Sequence, residues 1–276
     1  MATGIFFNED FIGKDWPIIG DRYRNFRAIL DDVSRREGVK LFTSEPIPED
    51  VLLKVHTREM IERERREWYY EGARRAVGGC VQAAEKVWKG EIENAVVLNV
   101  AAGHHAGRSH AWGGTYLSCI GPIALRLREL GVRRFAYFDT DSHHGDGARE
   151  ILMHDDEALH VCFCISERRE GSKICIRVSW RMSDKEYLAK VEEGLKMAED
   201  FRPEIILHFF GHDTHKDDYG SRGLSDDFFI ELAKKMKEFS AKISGGKYVL
   251  IDGGGANREV TEYIFPRIIE VLRTSS

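Results

Sequence analysis

The stretch RFAYFDTDSHHGDG, Arg134 to Gly147, joins a short apolar run to a turn holding three carboxylates and two adjacent imidazoles. A run so nearly continuous in apolar residues reads as a strand buried on both faces, which implies a parallel sheet covered by helices. Four further runs read the same way, AVVLNV (95–100), LHVCFCI (159–165), EIILHFF (204–210) and KYVLID (247–252), and GIFF (4–7) supplies a first strand. Helical periodicity marks 116–130, 183–200, 225–242 and 257–273 between and after them, and 22–36, 57–70 and 72–88 in the N-terminal third. Ser183 with Glu186 three residues on predicts a capping box, and Ser225 ahead of Asp226 and Asp227 predicts another helix start. The expected fold is α/β, a three-layer α/β/α arrangement around a mainly parallel sheet, built as one domain over residues 1–276. Such sheets place their sites beyond the carboxyl ends of the strands.

Composition narrows the function classes. Hydrophobic residues make up 42% and charged residues 32% of the 276, so the chain is neither disordered nor membrane-spanning, and no apolar run approaches the roughly 20 residues a span requires. The N-terminus has no basic segment followed by a long apolar one, so no secretory signal is expected and the location expected is cytoplasmic. The five cysteines, at 80, 119, 162, 164 and 175, have no framework spacing and read as free thiols. Forty-one basic residues against 46 acidic give a net charge of −5, which argues against a nucleic-acid-binding surface. The run IERERREW (61–68) interleaves its arginines with Glu62, Glu64 and Glu67 and reads as a solvated, ion-paired helix face.

Chemistry concentrates at four strand ends. AAGHHAGRSH follows the run at 95–100, DTDSHHGDG ends the opening stretch, GHDTHKDDYG follows 204–210 and GGGAN follows 247–252. Histidines 104, 105, 110, 143, 144, 212 and 215 all fall in the first three, whereas His160 and His208 lie on strands and read as satisfied core or edge residues. Asp141 and His143, two apart at a strand end, face the same side, and Asp213 from another end could complete a set of two carboxylates and one imidazole. Zinc takes such ligands and keeps a position open for water, and Mn²⁺ or Fe²⁺ also suits so oxygen-rich a set. His104 and His105 then become candidate proton-transfer groups, with Asp139 and Asp146 as spare acids to orient them. His144 is left over as packing or support. Taken alone, the turn could be only a charged loop whose Asp146 caps a helix at 148. Gly253 to Gly255 could cradle a phosphate, but without a Walker lysine or the G-x-G-x-x-G spacing a close backbone approach beside the metal is the better reading.

On these motifs the chain resembles the zinc-dependent histone deacetylase superfamily, which includes acetoin-utilization proteins and acetylpolyamine amidohydrolases on the arginase/deacetylase fold. The resemblance runs through KVHTREMIE (54–62), AAGHHA (101–106), DTDSHHGDG (139–147) and FRPEIILHFFGHDTHKDDYG (201–220), with GLS after it. It implies zinc on Asp141, His143 and Asp213, a tandem His104–His105 pair whose second member is the general base, Asp139 orienting His104 and Asp146 orienting His105, and a structural potassium ion near Asp139. The activity implied is hydrolysis of an acyl amide, with a small molecule or acylated amine as partner. The departures are as informative. The family's Gly-Tyr, whose hydroxyl binds the oxyanion, is here GGGAN with Ala256 at that position, and the next tyrosine, Tyr263, belongs to the following helix. Loss of one such donor costs about 10²–10³ in rate. The tunnel aromatic is Thr115 followed by Tyr116, Ala101 and Ala102 replace Pro-Pro, and the Pro-Gly-Thr-Gly loop is absent. The leading expectation is a zinc-dependent amidohydrolase of a small or unusual acyl amide. The alternative is a metal-binding pseudoenzyme that holds an acylated ligand with little turnover. A third arrangement has His110, His212 or Asn257 supply the missing donor.

Overall fold

The computed structural model describes residues 2–274. Nine strands form one sheet: β1 (Thr3–Phe7), β2 (Val39–Thr43), β3 (Asn94–Val97), β4 (Phe135–Asp139), β5 (Ala158–Cys164), β6 (Arg168–Glu170), β7 (Lys173–Arg177), β8 (Ile205–Phe210) and β9 (Tyr248–Asp252). Their order is β2-β1-β3-β9-β8-β4-β5-β7-β6, parallel throughout except that β6 runs antiparallel to β7. Strands β3, β4, β5, β8 and β9 are buried at every position, which is why their sequences are apolar on both faces.

Helices cover both faces. On one, α4 (Tyr70–Trp88) lies over β1, β3 and β9 and against α5 (Ile120–Glu129), flanked by α2 (Glu49–Val55) and α6 (Asp146–Leu152). On the other, α9 (Arg258–Arg273) and α8 (Asp226–Ser244) pack together, with α1 (Phe26–Val33) beside α9 and α7 (Asp184–Phe201) beside α8. The remaining helix, α3 (Arg58–Glu64), follows α2. The fold is the expected three-layer α/β arrangement.

Element limits differ from the sequence reading where polar side chains decide. The capping box forms at α7, with Ser183 Oγ accepting from Glu186 N and the Glu186 carboxylate accepting from Ser183 N. Asn257 caps α9 through bonds from Glu259 N and Val260 N. Helix α8 begins at Asp226 with Ser225 at its N-cap position, as expected, but the Ser225 side chain makes no cap bond; its hydroxyl and N–H both donate to Asp184. Helix α6 begins at Asp146 itself, with Gly145 as its cap. Strand β2, whose positions are all at least partly exposed, and the β6–β7 hairpin lie outside the strands expected from the sequence. Glu64, expected on a solvated face, is buried and accepts from Arg63 Nε and the Tyr69 hydroxyl at 2.9 Å each.

Four neighbouring strands at the centre, β3-β9-β8-β4, end on the same side of the sheet. Parallel pairing therefore gathers the four polar segments that are scattered through the sequence.

Candidate active site

Asp141, His143 and Asp213 come together with one ligand atom of each within 4.8 Å of the others. His143 Nδ1 lies 3.0 Å from Asp141 Oδ1 and 3.1 Å from Asp213 Oδ2. Hydrogen bonds donated to those two carboxylates lift the His143 imidazole to about 10, so a shared proton offsets the negative charges where a divalent cation would do the same more fully. Burial opposes ionisation of Asp141, but His104 and His143 hold it well below the usual carboxylate range. Burial and the neighbouring Asp141 push Asp213 up. Two buried carboxylates and an imidazole aimed at one point fit a divalent metal.

The glycine loop after β9 closes over this set. Gly254 N donates to Asp141 Oδ2 at 2.8 Å, and a Cβ on Gly254 would stand 2.5 Å from that oxygen and 2.7 Å from the Tyr219 hydroxyl. Gly255 N donates to the Tyr219 hydroxyl at 3.0 Å, while Ala256 N and Asn257 N donate to Asp218. Those N–H groups are committed within the protein, so close backbone approach explains the glycines and a phosphate cradle does not. Arg22, buried, donates to the carbonyls of Gly253 and Gly255 at 2.8 and 2.7 Å and pairs with Asp252 at 3.0 Å, fastening the loop from below.

The histidine pair lies alongside. His104 Nδ1 is 2.9 Å from Asp139 Oδ2, and its ring stacks on Phe209 at 4.6 Å between centroids. Burial works against a charge on His104, but Asp139, Asp141 and Asp213 outweigh it and lift the imidazole to about 9. His105 Nδ1 is 2.7 Å from Asp146 Oδ1. Burial and the charge on His104 press His105 down to about 4, against the pull of Asp146. Trp112 lies over His105 at 3.7 Å and donates its indole N–H to the second oxygen of Asp146 at 2.9 Å.

All of this opens on a cavity of about 410 Å³. Its floor is His104, His105, Asp141 and His143, and its walls include Ile18, Ile19, Trp112 and Tyr219. Ala256 does not line it. Nor do the donors considered in its place: His212 is buried between Asp252 and Thr261, Asn257 caps α9, and His110 sits 3.4 Å from Glu150. Tyr116 stacks on Tyr69 at 4.0 Å, and Thr115 binds the His105 N–H. Sequence reading missed Arg22, Trp112 and Tyr219, which reach the site from segments with no metal-ligand spacing.

The two strand histidines divide. His208 is satisfied by Tyr248 and Thr140 at 2.7 and 2.9 Å, as expected of a core residue, whereas both ring nitrogens of fully buried His160 lack a partner.

A mainly parallel α/β sheet whose central strand ends hold a two-carboxylate, one-imidazole cluster beside a carboxylate-backed histidine pair is an architecture of the deacetylase type. The family model for the Histone deacetylase domain matches residues 19–272, and the chain belongs to that family. The chain is similar to a probable deacetylase of Archaeoglobus fulgidus, 27% identical over 94% of this chain and 82% of that one. It is also similar to a histone deacetylase-like amidohydrolase of Pseudomonas aeruginosa, 24% identical over 90% and 74%. It spans only 40% of histone deacetylase 15 of Arabidopsis thaliana, at 26% identity. The crystal structure of the HDA15 HD domain shares the fold, with a TM-score of 0.86 over 99% of this chain and 89% of that one at 23% identity. Among the described residues no helix is long and apolar enough to cross a membrane.

Proposed function

We propose that this chain is a zinc-dependent amidohydrolase that cleaves the C–N bond of a small acyl amide, with His105 as general base and Tyr219 as oxyanion donor. The observation that carries the reading is the convergence of the carboxylate–imidazole set, the Asp146-oriented His105 and the Tyr219 phenol on one cavity. The names of the relatives, deacetylase and amidohydrolase, support the same bond class. A zinc ion on Asp141, His143 and Asp213 would polarise the acyl carbonyl and lower the pKa of water toward neutrality.

The chain's own residues do the rest. With its Nδ1–H committed to Asp146, His105 presents a lone pair at Nε2, and its depressed pKa keeps that lone pair free throughout the neutral range. It takes the proton of the attacking water and returns it to the leaving amine. His104, charged against Asp139, helps keep His105 neutral. Gly255 N–H fills one lone pair of the Tyr219 oxygen, leaving the phenol proton free for the cavity. Burial, with Asp213 and Asp141 close by, holds that phenol well above its ordinary range, so it stays a donor. Apolar walls at Ile18 and Ile19 in a cavity of about 410 Å³ suit a short acyl chain on a small molecule or acylated amine. The five free thiols suit a reducing, cytoplasmic setting.

The test is steady-state hydrolysis of acetyl, trifluoroacetyl and longer acyl amines by the zinc-loaded protein and its variants. Tyr219→Phe is expected to lower kcat by about 10²–10³ with little change in KM, and His105→Ala to abolish turnover with the fold kept. An unchanged kcat in Tyr219→Phe would remove that residue from the mechanism. Acyl-ligand binding without any turnover would favour the binding-protein alternative.

A further inference from the structure

Immediately beside the candidate active site, three thiol sulfurs and an imidazole nitrogen face one another. Cys162 and Cys164, two apart on β5, present their thiols on the same side of the sheet. Cys175 on β7 is the register partner of Cys162. His144, from the turn after β4, places Nδ1 3.6 Å from Cys162 Sγ, 3.5 Å from Cys164 Sγ and 3.7 Å from Cys175 Sγ. One ligand atom from each of the four lies within 4.8 Å of the others, and the cysteines are buried.

We propose that His144, Cys162, Cys164 and Cys175 form a second, structural metal site that takes zinc in tetrahedral three-sulfur, one-nitrogen coordination. A single ring nitrogen either donates one hydrogen or accepts at one lone pair, so hydrogen bonding engages one thiol at a time and does not account for three at nearly equal distance from it. A common centre does. With Zn–S of about 2.3 Å and Zn–N of about 2.0 Å, tetrahedral geometry sets the N···S edge at about 3.5–3.6 Å, and the distances here span 3.5 to 3.7 Å. The full complement of four protein ligands leaves no open position, which marks a structural rather than a hydrolytic ion. Zinc with three thiolates carries a net negative charge, and the guanidinium of buried Arg149 stands 3.7 Å from Cys175 Sγ to offset it.

The placement says what the ion would do. His144 lies between His143, of the carboxylate–imidazole set, and Asp146, which orients His105. Anchoring His144 to β5 and β7 would fix the turn carrying both, and would tie the three-residue β6 and its partner β7 to the sheet. The assignment is independent of the amidohydrolase reading.

Zinc X-ray absorption on the full-length, reduced, zinc-loaded protein tests it without any substitution, because the Asp141–His143–Asp213 set contains no sulfur. The expected result is one zinc at each site and a sulfur shell at about 2.3 Å. A spectrum of nitrogen and oxygen scatterers alone would overturn the proposal, as would a disulfide between any of the three cysteines in the reduced, zinc-loaded protein. Cobalt loading provides the second arm. An intense thiolate-to-cobalt charge-transfer band is expected to survive His143→Ala and to vanish in Cys164→Ser, and loss of the band in His143→Ala alone would contradict the assignment.

Discussion

The neutral state of His56 is written into its hydrogen bonds. Its Nδ1–H donates to the Gly107 carbonyl at 2.7 Å while Nε2 accepts from Ser118 N at 3.1 Å, so a second ring proton would break the latter bond. Burial pushes the imidazole down to about 4, from the 6.5 of an unfolded chain. Between those values the unfolded state binds a proton that the folded state refuses, so stability is constant above pH 6.5 and falls as pH drops toward 4. The loss from this one group is on the order of 3 kcal/mol at most. Thermal melts from pH 7 to 4.5 are expected to show it, with His56→Gln flattening the acid side of the curve; an identical pH dependence in that variant would contradict the assignment. The residue scale is also where the sequence was least legible. The metal-type triad and the His pair stood out because burying clustered Asp and His at strand ends is costly unless a metal or proton transfer occupies them. Tyr219, Trp112 and Arg22 are ordinary residues whose place at the site comes from what they face, and no local pattern carries that.

At the scale of elements, the central strands could be read because burial on both faces leaves only apolar residues along most of β4, β8 and β9. Strand β2 escaped because it is largely exposed and its sequence, VKLFT, mixes both kinds of residue. The Cys–His cluster escaped for a different reason: Cys175 meets Cys162 only because β7 returns parallel to β5, a pairing that spacing cannot reveal. The glycine loop after β9 makes a sharp prediction. A methyl group at Gly254 has no room beside Asp141 and Tyr219, and that residue's N–H fixes the Asp141 carboxylate. Gly254→Ala is therefore expected to weaken metal binding about 10–100-fold, the range seen when support for a ligand is lost, while far-ultraviolet circular dichroism stays unchanged. Competition against a zinc chelator measures it, and wild-type affinity would show that the loop does not hold the ligand.

For the whole molecule, the sheet gathers like charges that a bound cation would reconcile. Asp141 and Asp213 are both buried, and the charge on Asp141 disfavours ionisation of Asp213. Metal bound to the folded state alone adds RT ln(1 + [L]/Kd), about 2.7 kcal/mol at a free concentration of 100 Kd, so chelation is expected to lower the melting temperature by roughly 5 °C at neutral pH. An unchanged melting temperature after verified metal removal would mean that the carboxylates are accommodated without it. The most direct measurement of the central claim is amide hydrolysis through a cycle of stripping and reloading. The protein is depleted of metal, assayed on short-chain acyl amines, supplied with stoichiometric zinc and assayed again. Hydrolysis lost on depletion and restored by zinc, and absent throughout in His105→Ala, is the result predicted; a folded, zinc-replete protein that binds these substrates and releases no acyl group from any of them would contradict the account.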